Sequence, residues 1–191
     1  MFNGVRVFDT VLDGKNTRDM VSRNSADFWK PFCKSAGWNF NYERIHSLND
    51  LKYFFSKKIK EDIIIFSGHG NENGFYFSNG DCLDKNTDTF IPEKNHGKVI
   101  IFSSCLIGKN ECTSKALKAF FSAEALFSYR HLMSNRFCFL NESILLSSIE
   151  HKFNRGKNSF TENDFGEFQV QTDFMKNMNE KHVKLHPMVM F

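Results

Sequence analysis

Two residues in this 191-residue chain combine reactive side chains with a suggestive context. His69 ends the segment DIIIFSGHG and is followed by Gly70. Cys105 lies in KVIIFSSCLIG, with Gly108 three positions on. An imidazole beside a thiol can take its proton or stabilise the thiolate as an ion pair, making a nucleophile suited to acyl transfer. A glycine after the histidine allows backbone to approach a substrate carbonyl closely, and the Gly70 N–H can donate to a developing oxyanion. This chemistry requires that both residues leave the same edge of one sheet, which depends on the elements around them.

The residues preceding each are unbroken apolar runs, Ile63–Phe66 and Val99–Phe102. Such runs suit central parallel strands covered on both faces. Neighbouring strands lie about 5 Å apart, so adjacent placement would deliver His69 and Cys105 to one rim. Val5–Phe8 and Ala125–Phe127 read as further buried strands, and Trp38, Phe40 and Tyr42 alternate with polar residues as a half-buried strand does. Helices are expected from Ser25 to Ala36, closed by Gly37, from Leu48 to Lys58 behind Ser47 and Asp50, from Thr113 or Ser114 to Phe121, and from Asn141 to Ile149. Phe75–Ser78, Asn79-Gly80 and Asp81–Leu83 read as a small hairpin. Asp9–Asn24 is polar and reads as loop, and Val183–Phe191 as a late edge strand, where Pro187 is tolerated. Strand and helix alternating in this order predict a doubly wound α/β sheet, whose ligands gather at the carboxyl ends of the strands.

Composition narrows the function. A net charge of +3 and no long Lys/Arg run give nucleic-acid binding no support. No apolar stretch approaches the roughly 18 residues of a membrane span, and the amino terminus does not read as a signal peptide. Five cysteines without CxxC or zinc spacing suggest free thiols in a reducing, cytoplasmic compartment. Cys112 falls at a helix start, whereas Cys82 and Cys138 read as packing. His96, His131, His151, His182 and His186 read as surface residues, and the His182/His186 spacing is a weak metal signal because Pro187 opposes a helix. The first strand ends in Phe8-Asp9-Thr10 without a glycine-rich phosphate loop, which counts against a nucleotide enzyme. No cofactor or metal is expected.

The pair IIIFSGHG and VIIFSSC, with the intervening HGNENGFYFSNG, resembles the caspase-type cysteine peptidases, a group that includes metacaspases, gingipains, clostripain, separase and bacterial CHAT peptidases. The later segment AEALFSYRHLMSNRFCFLNESILLSSIEHKF is similar to the next core strand, a substrate-facing loop and the packing helix of bacterial members. The resemblance covers about residues 5–153. It implies a three-layer α/β sandwich with a mostly parallel sheet over residues 1–153, and a carboxy-terminal extension, 154–191, completing the sheet edge. It implies a cysteine endopeptidase with Cys105 as nucleophile and His69 as general base and acid. The backbone N–H groups of Gly70 and Cys105 would form the oxyanion hole, and Ser104 and Arg130 would contact substrate. Arg130 would pair with an acidic substrate side chain, whereas Asp81, Asp84 and Asp88 would instead favour lysine or arginine. This reading leaves that choice open.

The segment Ser103-Ser104-Cys105-Leu106-Ile107-Gly108 departs from the caspase Gln-Ala-Cys-x-Gly, and His69 precedes Cys105 by fewer than the roughly 50 residues typical of caspases. A bacterial single-domain member is therefore the closer parallel. Its expected partners are a protein or peptide substrate and an activating partner or small-molecule signal, in an antiviral-defence or cell-death setting. The alternative is a catalytically inactive binding or sensor module of the same fold.

Overall fold

A computed structural model describes residues 2–10, 25–157, 159–177 and 184–191. The polar stretch read as loop after Asp9 lies, from residue 11 to residue 24, outside the described residues, as does His182.

The apolar runs form the strands expected of them. β1 (Gly4–Asp9), β3 (Ile63–Ser67), β7 (Val99–Ser103) and β8 (Ala125–Tyr129) are parallel neighbours, with β2 (Asn39–Arg44) parallel on one edge and β9 (Met188–Met190) antiparallel on the other. Ile63–Phe66 and Val99–Phe102 are buried because helices cover both faces. Three more short strands, β4 (His69–Asn71), β5 (Gly74–Tyr76) and β6 (Cys82–Asp84), make a separate antiparallel sheet. The Asn79-Gly80 pair belongs to a longer connection between β5 and β6 rather than to a two-residue turn.

Helices α1 (Ala26–Ala36), α4 (Asn135–Asn154) and α5 (Glu162–Gln171) pack on one face of the large sheet through Trp29, Cys33, Phe139, Leu145, Phe165 and Phe168. α2 (Leu48–Phe55) and α3 (Glu111–Phe121) cover the other through Leu51, Phe55, Leu117 and Phe121. The architecture is α/β with a mostly parallel central sheet, compatible with a three-layer sandwich.

Helix starts differ from the expected ones where a better cap is available upstream. α3 begins at Glu111 because the Asn110 side chain accepts from the N–H groups of Cys112 and Thr113. α4 begins at Asn135, so Asn141 is a buried interior residue rather than a cap. α5 was not expected from the polar tail. It is opened by a capping box between Thr161 and Asp164.

Candidate active site at the strand ends

Alternation along a strand sends successive side chains to opposite faces. On the α2/α3 face the penultimate rung is aromatic: Phe8, Phe66 and Phe102 stack with ring centroids 5.5 and 5.1 Å apart. One position later, on the α1/α4 face, the last rung is polar. Asp9 pairs in register with Ser67, and Ser67 with Ser103. Tyr129 follows the Ser128 that pairs with Phe102. His69 and Cys105 stand two positions past the paired Ser67 and Ser103, and both are half-buried. The Gly68 N–H also donates to the Ser103 carbonyl at 3.4 Å, continuing the ladder toward the two residues.

The histidine segment is held by its small sheet. His69 pairs with Tyr76 and Gly70 with Phe75. Phe75 packs 5.7 Å from both Phe66 and Phe102, so the aromatic rung anchors the hairpin that carries His69. The hairpin turn is tied to the cysteine segment as well. Thr113 Oγ1 donates to the Glu72 carbonyl at 2.9 Å, and Lys109 pairs with Glu72 at 2.9 Å on the surface.

The two segments touch. A Cβ on Gly70 would lie 2.8 Å from Ser104 Oγ and 2.9 Å from Ile107 Cδ1, so any larger residue here would have to displace those side chains. Ser104 is itself buried against that glycine, and its hydroxyl has no hydrogen-bond partner among the described residues.

Cys105 sits in a sharp turn. Leu106 adopts a left-handed conformation, φ 67°, which costs a non-glycine residue of order 1 kcal/mol or more. Ile107 N–H closes the turn onto the Cys105 carbonyl at 2.9 Å, and Ser114 Oγ fastens the Ile107 carbonyl at 3.0 Å. The Met133 N–H donates to Cys105 Sγ at 3.3 Å, and the Met133 carbonyl lies 3.8 Å from the same sulfur. The N–H can stabilise negative charge on the sulfur, and the carbonyl can accept from its thiol.

Arg130 follows β8, and its backbone N–H donates to the Pro187 carbonyl at 2.9 Å. Its side chain is half-buried, with no acceptor on Nε among the described residues, and burial lowers its pKa. Burial and the neighbouring Arg130 charge likewise lower the pKa of His131. His186, expected on the surface, is buried instead, bonded to Thr172 Oγ1 and the Met188 carbonyl. Tertiary placement of β9 overrides its polarity.

Two acids that spacing did not flag contribute to the polar rung. Asp9 Oδ2 accepts from Ser25 N–H at 2.9 Å and Tyr42 OH at 3.1 Å, joining α1 and β2 to the rim, and burial raises its pKa despite these bonds. Glu142 lies beneath β7 and β8. Asp9 could have been noticed as an acid ending an apolar strand, whereas Glu142 carries no such mark.

All five cysteines are free. No three His, Cys, Asp or Glu side chains among the described residues stand together as metal ligands, and no helix among them is long and apolar enough to cross a membrane. A groove of about 560 Å³ between α4 and α5, lined by Ser147, His151, Lys152, Arg155 and Asp164, shares no residue with the His69/Cys105 edge. The chain matches no protein-family model and no curated protein sequence.

Proposed function

We propose that the chain is a cysteine endopeptidase in which Cys105 and His69 form the reacting pair. The observation that carries this reading is the register of β3 on β7, which sets the two residues equally far past one rung. The Cys105 thiolate attacks the peptide carbonyl carbon, forming a C–S bond while the carbonyl electrons move to oxygen. Backbone N–H groups of Gly70 and Cys105 receive that oxyanion. Collapse breaks the C–N bond, and the His69 imidazolium gives its proton to the leaving amine. Water, deprotonated by His69, then cleaves the thioester, releasing the carboxylate and restoring the thiol.

The acidic-substrate alternative is the better supported. Arg130 is a half-buried cation without a carboxylate partner among the described residues. Two of the three acids that would favour basic substrates are engaged by backbone: Asp81 Oδ2 accepts from the Leu48 N–H of α2 at 3.0 Å, and Asp84 Oδ1 from the Asn86 N–H at 2.9 Å. An activating partner or signal belongs to the same proposal, on the strength of the resemblance to the caspase-type peptidases alone.

The test is cleavage of a peptide library by the full chain and by Cys105→Ala and His69→Ala. Each variant is expected to lose at least about a thousandfold in rate while keeping its circular dichroism and melting temperature. Cuts should follow acidic residues. Undiminished cleavage by Cys105→Ala would overturn the proposal, and absence of cleavage by the unmodified chain with any added partner would favour a binding module.

A further inference from the structure

The peptidase chemistry leaves one wholly buried acid unused. Glu142 is 0% exposed, on the face of α4 turned to the sheet. Tyr129 OH lies 3.1 Å from Glu142 Oε1 and 3.3 Å from the Cys138 carbonyl oxygen, and Asn141 Nδ2 donates to the same phenol oxygen at 3.4 Å. A phenol has one proton and cannot donate to both acceptors. A protonated Glu142 resolves the conflict: it donates to the phenol oxygen, and Tyr129 donates to the Cys138 carbonyl. Ser103, two residues before Cys105, faces the same carboxyl and the Cys138 thiol, although Glu142 Oε2 has no well-formed hydrogen bond among the described residues.

These contacts bracket the segment that touches the nucleophile. Arg130–Ser134 leaves β8 at Tyr129 and enters α4 at Asn135, and Met133 within it carries the N–H directed at Cys105 Sγ. We infer that Glu142 is a positioning residue: its carboxyl group fastens the start of α4 to the ends of β7 and β8, and thereby holds the Met133 backbone against the Cys105 sulfur. The inference rests on Cys105 being the reactive thiol. The titratable groups facing Glu142 are Tyr129 from β8 and Cys138 from α4, which itself faces Cys105. Ser103 of β7 is the other polar neighbour, while Asn141 of α4 reaches Met188 of β9 at 3.6 Å. No cation among the described residues pairs with Glu142. Burial pushes its carboxyl up to about 8, opposed by lesser contributions from Ser103 and Tyr129, so it is neutral at neutral pH and ionises in mild alkali.

The test is the rate at which iodoacetamide alkylates Cys105, followed by mass spectrometry in the full chain from about pH 6 to about pH 9.5, a range that brackets the ionisation of an unperturbed cysteine. Glu142→Ala is expected to slow the reaction about tenfold at neutral pH, the size of one charge-assisted hydrogen bond. Glu142→Gln, whose amide can still donate to the phenol, should stay within about twofold of the unmodified chain. Above about pH 8 the unmodified chain should fall below the glutamine variant as Glu142 ionises. Equal rates for all three chains at neutral pH, or superimposable profiles for the glutamate and glutamine forms, would overturn the inference. If Glu142→Ala does not fold, the comparison with Glu142→Gln decides alone. Alkylation needs no substrate, so failure to find a cleaved peptide leaves this result standing, and cleavage with unaltered Glu142 profiles removes only this inference.

Discussion

Two consecutive rungs of one sheet differ completely in character. The rung of Phe8, Phe66 and Phe102 is fully buried on the α2/α3 face and stacks ring on ring. The next rung, Asp9, Ser67, Ser103 and Tyr129, turns to the α1/α4 face and holds hydroxyls and a carboxyl. One step along the backbone thus converts core into the floor of a candidate site. The aromatic rung supplies rigidity, also reaching Phe75 in the hairpin that carries His69. The polar rung supplies partners and tunable charge. A reactive edge needs both, because polar groups can be positioned only by something that does not itself give way.

Breaking the aromatic rung should have the largest effect on stability. Phe66 contacts Phe8, Phe75, Phe102 and Phe121, and Phe66→Ala should cost about 3–5 kcal/mol in urea unfolding. A cost below about 1 kcal/mol would mean that the ladder relaxes freely and does not brace the site.

Crowding the junction of the two segments should cost less stability and more activity. In Gly70→Ala the new methyl meets buried Ser104 and Ile107, so unfolding should cost about 1–3 kcal/mol. Displacement of the His-Gly backbone should lower kcat by about a hundredfold with little change in KM. A raised KM with kcat unchanged would show that the junction shapes substrate binding and not the reacting groups.

The polar rung is sharpened by pH. The folded-state pKa of Glu142 is raised above that of the unfolded chain, so its folded form retains a proton that the unfolded form has lost. Its contribution is complete below the unfolded value of about 4.3 and is lost as pH rises toward about 8, then levels off. The stability gap between Glu142→Gln and the unmodified chain should therefore move in favour of glutamine across that window, by up to roughly 1.4 kcal/mol per pH unit. A gap independent of pH would mean that Glu142 is not held neutral.

The legible parts of the fold were those in which one force dominates. Ile63–Phe66 and Val99–Phe102 read directly because strands buried on both faces must be apolar throughout, and their ends then mark the rim with His69 and Cys105. Pro187 and its neighbours read as an edge for the same kind of reason, since a proline cannot donate to a ladder. Other features depended on competition between sites. Asn110 outcompetes Thr113 and Ser114 as a cap because its side chain reaches two N–H groups. Asn141 looked like a cap, yet it is an interior partner of Tyr129. α5 had a readable start in Thr161 and Asp164, but few apolar residues to give it a period. Glu142 was illegible because an isolated glutamate in a helix ordinarily faces water, and only the assembled strand ends give it a partner.

The central claim is that His69 activates Cys105 at a shared rim. It is tested most directly by labelling the folded chain at neutral pH with a peptide-ketone thiol probe and quantifying all five cysteines. The account predicts that Cys105 is modified at least about tenfold faster than Cys33, Cys82, Cys112 and Cys138, and that His69→Ala removes this advantage without unfolding the protein. Uniform labelling of the accessible cysteines, or a Cys105 preference that survives His69→Ala unchanged, would contradict it.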